Sequence, residues 1–393
     1  MLSYLEEFKP QNRLLLGPGP SNVNPRVLQA MGAPLLGYAD PDFFQVLTDV
    51  QEMLKVVFQT ENTITLPVSG TGSAGIETAM VNMLEPGDVI IVGVNGHFGD
   101  RSSEIASRCG ATVVRVESEW GHPVEPNAIK TALAKHSKVK AVTVVHAETS
   151  TGVLSPLEDL ADIIHEKDAL FMVDAVTSLG GVRLEVDNWD IDVCFSGTQK
   201  CLACPPGLAP ITVSDRGYAA LTKRSNPVQS WYLDLNLLSG YWSEARTYHH
   251  TPPVSMIYGL REGLRVVLEE GLDSRFQRHA RAASGLRAGL KALGIGLFAK
   301  EDSRLDTLTS VIVPNGVADA NVRRKLLRNY SIEIGGGFGP FAGKMWRIGL
   351  MGENAKTSTV LSLLSALEEV LPTEGFEVAR GEGVAAAQRA MVL

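Results

Sequence analysis

Between about residue 60 and residue 225, apolar residues fall into two alternating rhythms. Short, nearly continuous apolar runs are separated by stretches with the spacing of an amphipathic helix. The runs are "TITLPVS" (63–69), "DVIIVGV" (88–94), "TVVRVES" (112–118), "KAVTVVH" (140–146), "ALFMVDAV" (169–176), "IDVCFS" (191–196) and "APITVS" (209–214). Helical patterns cover Ser73–Leu84, Arg101–Cys109, Pro126–Lys135 and Leu157–Glu166. Alternation of this kind predicts an α/β architecture, a mostly parallel sheet between helices. Several runs are apolar on both faces, as burial between two helix layers requires.

The rhythm changes after about Asp273. Helical patterns at Phe276–Leu293, Asp319–Arg328 and Thr357–Leu371 surround short strands at "TSVIVP" (309–314) and "WRIGLM" (346–351). This predicts a smaller C-terminal α+β domain, joined to the first by one long helix over Ser255–Leu272. The expected division is an N-terminal arm over 1–25, a large domain over 26–272 and a small domain over 273–393. The tail from Thr373 has no clear core pattern and is expected to be peripheral. No internal repeat is visible.

Composition adds mostly exclusions. With 45% hydrophobic and 20% charged residues, the chain has ordinary globular composition. A net charge of −8 argues against a nucleic-acid partner. No apolar run reaches the length of a membrane span, and the acidic start "MLSYLEEFKPQ" is unlike a signal peptide. Four cysteines form no disulfide framework. A soluble, cytoplasmic protein is expected, and the terminal "MVL" is no peroxisomal address.

In open parallel sheets, sites form outside the carboxyl ends of the strands. The residues following the predicted strands are therefore informative: "SGTGSAG" (69–75), "NGHFGDR" (95–101), "HAETSTG" (146–152), "DAVTSLGG" (174–181) and "SGTQK" (196–200). The glycine-rich stretch opens a helix, so its backbone N–H groups suit a phosphate. It matches GxGxxG, but the next strand ends in Asn95-Gly96 instead of the acid a dinucleotide fold uses for ribose. Asp174 ends a strand, where a carboxylate is commonly a cap or turn residue. It also lies where it could reach a bound ligand, and in pyridoxal phosphate enzymes an acidic partner holds the pyridine nitrogen protonated. Lys200 lies 26 residues later, at the next strand end. Apolar surroundings lower a lysine pKa, and an aldehyde cofactor would trap the amine as a Schiff base. Standing alone, it would be an exposed loop lysine.

Other candidates carry less. Cys201 and Cys204 form a C-x-x-C, but Cys109 and Cys194 make no second pair, and Pro205-Pro206 follows in place of a helix. His249 and His250 are adjacent, and in a strand adjacent side chains point apart, so no metal box is expected. Arg347 stands in a short strand behind "GGGFGPFAGK" (335–344), and its fork suits a carboxylate. A surface ion pair is the plainer reading of such an arginine.

Taken together these stretches resemble class V, fold-type I, pyridoxal phosphate aminotransferases, in particular the alanine–glyoxylate (serine–pyruvate) aminotransferase family. The resemblance runs from "LLLGPGPSNVNP" (14–25) to "RIGLMG" (347–352), through "VFQT", "LEPGD", "STGVL", "SLGG", "SGTQK", "PPG" and "YHHTPPV". It implies Lys200 as the cofactor-binding lysine and Asp174 as the partner of the ring nitrogen. It implies Thr71, Gly72, Ser73 and Gln199 as phosphate contacts, and Thr149 beside the ring oxygen. It also implies Arg347 on the substrate carboxylate, with "GPGP" (17–20) near the pocket. Tyr248 and Thr251 would reach the cofactor of a second subunit, making a homodimer with shared sites. Family members often carry a tryptophan on the ring where this chain has Phe98, which offers a smaller π face. The implied activity is ping-pong transfer of an amino group from L-alanine, L-serine or both to glyoxylate. A nicotinamide dehydrogenase and a C-x-x-C redox or zinc protein are the rival readings.

Overall fold

The computed structural model describes residues 6–392. The chain opens with strand β1 (Leu14–Leu16), helices α1 (Pro25–Met31) and α2 (Pro41–Phe58), then β2 (Ile64–Ser69) and α3 (Gly72–Met83). Alternating units follow: β3 (Val89–Val94), α4 (His97–Arg108), β4 (Thr112–Glu117), α5 (Pro126–Ala134) and β5 (Ala141–Val145). A two-stranded ribbon, β6 (Ala147–Glu148) and β7 (Val153–Leu154), precedes α6 (Leu160–His165) and β8 (Leu170–Asp174). Next come β9 (Val193–Phe195), β10 (Leu208–Val213), α7 (Asp215–Thr222), α8 (Leu235–Trp242), α9 (Val254–Glu270) and α10 (Leu272–Ala292). The last part holds β11 (Leu308–Ile312), α11 (Asp319–Tyr330), β12 (Ile332–Gly336), β13 (Met345–Gly349), α12 (Thr357–Val370) and α13 (Glu382–Met391).

All seven apolar runs become strands of one sheet, ordered β2-β10-β9-β8-β5-β3-β4. Only β10 runs against its neighbours. Every residue of β5 and β8 is buried, which explains why their sequences are apolar throughout rather than alternating. Helix α2 begins where Asp40 accepts from the Asp42 N–H at 2.9 Å, with Pro41 in the first turn. Its buried Phe43, Leu47, Val50 and Leu54 are spaced to make one apolar stripe.

The second sheet has the order β1-β12-β13-β11 and a separate apolar cluster around Trp346, Leu286 and Leu364. The joining helix, expected over Ser255–Leu272, is α9 within two residues at each end, and Gly271, with φ +80°, separates it from α10. Two details differ from the sequence reading. Leu14–Leu16, expected in an arm, pair in parallel with Ile332–Ile334 and so belong to this sheet. The tail is not peripheral, because α13 buries Ala387 and Met391 and the Glu368 carboxylate accepts from the N–H groups of Gly381 (2.7 Å) and Gly383 (3.0 Å). A short helix rich in alanine leaves little periodic contrast in the sequence, so its packing face was not legible there.

Candidate active site

The large sheet changes direction at β3. Strand β4 lies on one side of it and β5 returns to the other. Strand ends at such a reversal leave a crevice. A cavity here is lined by Thr71, Gly72 and Ser73 from the start of α3, Phe98 from α4, Thr149, Asp174 from the end of β8, and Gln199 and Lys200. Eight of the predicted site residues are thus brought to one place.

Lys200 is fixed from both sides. Its backbone carbonyl accepts from the Ser21 hydroxyl at 2.8 Å, and the Gln199 carbonyl from the Ser21 N–H at 2.9 Å. The carbonyl of the next residue, Cys201, accepts from the buried Arg275 guanidinium. The side-chain Nζ donates to the Pro18 carbonyl. Gly19 packs so closely that a Cβ there would lie 2.6 Å from Nζ, and its φ of +112° also favours glycine. Burial lowers the Lys200 pKa to about 8. Asp174 accepts from the Val176 N–H at 2.9 Å. Burial raises its carboxyl to about 7, and the nearby Glu148 carboxylate pushes the same way.

Helix α3 starts without a side-chain cap, so the N–H groups of Gly72 and Ser73, which line the cavity, have no partner among the described residues. Gln199 Oε1 is buried with no partner among the described residues. An uncapped helix start beside an unsatisfied amide fits a bound phosphate, and a buried amine and carboxyl fit an aldehyde and a ring nitrogen. The residues present therefore suit pyridoxal phosphate.

Sequence reasoning missed several neighbours. Arg101 lines the cavity, donates to Ser73 Oγ at 3.3 Å and lies 4.9 Å from the Phe98 ring centroid. Glu148 is fully buried, and its carboxylate accepts from the Phe98 N–H (3.0 Å), the Ser150 N–H (2.9 Å) and the Ser150 hydroxyl (2.6 Å). It thereby ties the start of α4 to the loop that carries Thr149. Burial raises the Glu148 pKa against those donors. The pairing spans 50 residues, so only its place after a strand could have flagged it.

Three predicted residues stand apart from the cavity wall. Arg347 is buried behind Phe338, whose ring centroid lies 3.9 Å from its Cζ. Burial lowers the Arg347 pKa to about 10. Tyr248 and Thr251 bond each other at 3.2 Å on the exposed surface, where Tyr248 also packs on Tyr38 at 4.8 Å. The expectation that His249 and His250 point apart is overturned. They lie in a loop, not a strand, and their Nδ1 atoms are 2.7 Å apart. Still, no cluster of three or more potential metal ligands exists among the described residues. All four cysteines are free and buried.

The family described as aminotransferase class-V matches residues 14–346. A solved structure of ureidoglycine–glyoxylate aminotransferase from Bacillus subtilis superposes with a TM-score of 0.96 at 42% identity, covering 98% of this chain and 99% of that one. An alanine–glyoxylate aminotransferase structure from Nostoc gives 0.92 at 45% identity, covering 93% and 97%. The alanine–glyoxylate aminotransferase of Callithrix jacchus is 41% identical, over 91% of this chain and 87% of that protein.

Proposed function

The chain belongs to the class-V aminotransferases, a fold-type I transaminase that uses pyridoxal 5'-phosphate, and from that premise we propose that it transfers the amino group of a small amino acid to glyoxylate. The observation that carries the reading is the convergence of Lys200, Asp174 and the uncapped start of α3 on one cavity. Relatives at 41–45% identity whose names specify glyoxylate support the acceptor.

When bound, the cofactor supplies an aldehyde that takes up the amino group and a ring that spreads negative charge. The chain supplies the rest. Gly72 and Ser73 N–H groups, with Gln199, hold the phosphate. Thr149 and Phe98, which line the same cavity, would hold the ring. Asp174 holds the proton on the ring nitrogen. Lys200 Nζ, with a pKa of about 8, is neutral in part near pH 7 and takes the α-proton of the donor. Arg347 orients the carboxylates of donor and acceptor. Two half-reactions on one site make the kinetics ping-pong.

Tyr248 and Thr251 complete the site of a second subunit in this proposal. An exposed aromatic group supports it: Tyr248, 53% exposed, packs on Tyr38, and the neighbouring His249 and His250 pack on the exposed Trp231 and Tyr232. A patch of that character on a monomer marks a binding surface, and a two-fold contact lets one loop from each chain complete both sites. Among the described residues no helix is long and apolar enough to cross a membrane.

A donor screen against glyoxylate tests the reading. L-alanine or L-serine should be the better donor. Turnover with (S)-ureidoglycine alone would reassign the donor, and no turnover with any of the three would refute glyoxylate as acceptor.

A further inference from the structure

Arg347 cannot receive a carboxylate without involving Phe338. The guanidinium plane is fixed, since Nε donates to the Gly336 carbonyl at 2.7 Å and Nη1 to the Thr149 carbonyl at 3.5 Å. Nη2 has no protein partner among the described residues. A carboxylate binds in the plane of the fork. The Phe338 ring covers one face of that plane, within cation–π distance at 3.9 Å. It also lines the cavity that Lys200 and Asp174 line, while Arg347 does not. Phe338 thus stands between the cavity and the fork, and an acid that reaches the fork from the cavity passes its ring.

The ring is held in place from several directions. Pairing of β12 with β13 continues to Gly337, whose N–H donates to the Met345 carbonyl at 2.8 Å, so Phe338 is the first residue beyond the ladder. On the other side, Phe341 stacks on Trp120 at 5.6 Å and meets Phe298 edge-on at 4.6 Å. Across the cleft, the His97 ring lies 4.9 Å from Phe338. The loop is thus anchored on both sides of Phe338, which is 37% exposed and lines the cavity.

We propose that Phe338 sets the upper size limit on the donor side chain, confining the site to α-amino acids with one or two heavy atoms beyond the α-carbon. The inference rests on the transaminase reading above and adds a specificity-determining residue to it. A substituent on the α-carbon meets the ring after one or two atoms, whereas glyoxylate, which has none, passes freely.

The test uses the holoenzyme and a donor ladder of L-alanine, L-2-aminobutyrate and L-norvaline, with glyoxylate as acceptor. Wild type, Phe338→Leu and Phe338→Ala are compared by the ratio of kcat/KM for norvaline to that for alanine. One methylene in an apolar pocket discriminates by about tenfold or more, so that ratio should rise at least about tenfold in Phe338→Ala and by less in Phe338→Leu. Competitive inhibition by acetate, butyrate and hexanoate gives a readout of binding alone, and the longer acids should gain in the variants. Ratios within about twofold of wild type in both variants, or equal loss for every donor, would overturn the proposal. A wild-type enzyme that turns over no member of the ladder would overturn the small-donor reading proposed above, and this inference with it.

Discussion

Asp174→Asn should make the cofactor-free protein more stable at pH 8 while crippling the enzyme. Burial moves the Asp174 carboxyl from 3.8 to about 7. Each tenfold is about 1.4 kcal/mol, so ionising this group in the folded chain costs about 4 kcal/mol more than in the unfolded chain. Asparagine keeps an acceptor for the Val176 N–H but adds a donor that needs a partner, so about 2–4 kcal/mol is expected. The pH dependence gives the sign. Between pH 3.8 and about 7 the folded chain holds a proton that the unfolded chain has lost, so wild-type stability falls as pH rises through that window. Above it the loss is complete. Urea unfolding of both cofactor-free proteins, at one concentration and at several pH values from 4 to 8, reads the difference. The variant should gain on wild type across the window and hold that gain above pH 7. With cofactor bound the order should reverse, because the carboxylate then faces a ring cation, and the rate should fall at least about a hundredfold, roughly 3 kcal/mol in barrier. A stability difference that does not change with pH would refute the account of Asp174 as a buried, cofactor-directed acid.

The other predictions draw on separate parts of the molecule. Burial raises the Cys201 and Cys204 thiols to about 11 and about 12, so a thiol reagent at pH 8 should modify them only after denaturant is added, and rapid labelling of the native protein would contradict their packing. Glu368→Ala leaves the Gly381 and Gly383 N–H groups unpaired, which should cost about 1–3 kcal/mol and speed hydrogen exchange in α13, whereas unchanged protection would mean the tail is held by apolar contacts alone. Mixed dimers of a Lys200→Ala chain with a Tyr248→Phe/Thr251→Ala chain should recover roughly half of wild-type activity, since one site then carries both defects and the other neither. No recovery would exclude sites shared between subunits.

The legible parts of the sequence were those where one local pattern decides the outcome. Strands β5 and β8 are apolar throughout because both faces are covered, and the residues that follow them stand at the sheet edge whatever the rest of the chain does. Asp174, the last residue of β8, and Lys200, beyond β9, could be placed at one sheet edge in the same way, and both line the cavity there. Glu148 was not legible, because its importance comes from N–H groups near residue 98 that folding brings to it. Phe338 sits in a glycine-rich loop whose sequence says nothing of Arg347 below the ring. Strand β1 is three residues long and finds its partner more than 300 residues away, beyond the reach of any periodicity.

The central claim is that Lys200 runs amino transfer to glyoxylate, and isotope transfer tests it most directly. Holoenzyme is mixed with L-[15N]alanine and glyoxylate, and the products are read by mass spectrometry. The account predicts [15N]glycine and pyruvate in equal amounts, and none of either from Lys200→Ala with cofactor still bound. Unlabelled glycine, labelled glycine from the Lys200→Ala enzyme, or no glycine from 15N-labelled alanine, serine or ureidoglycine would contradict it.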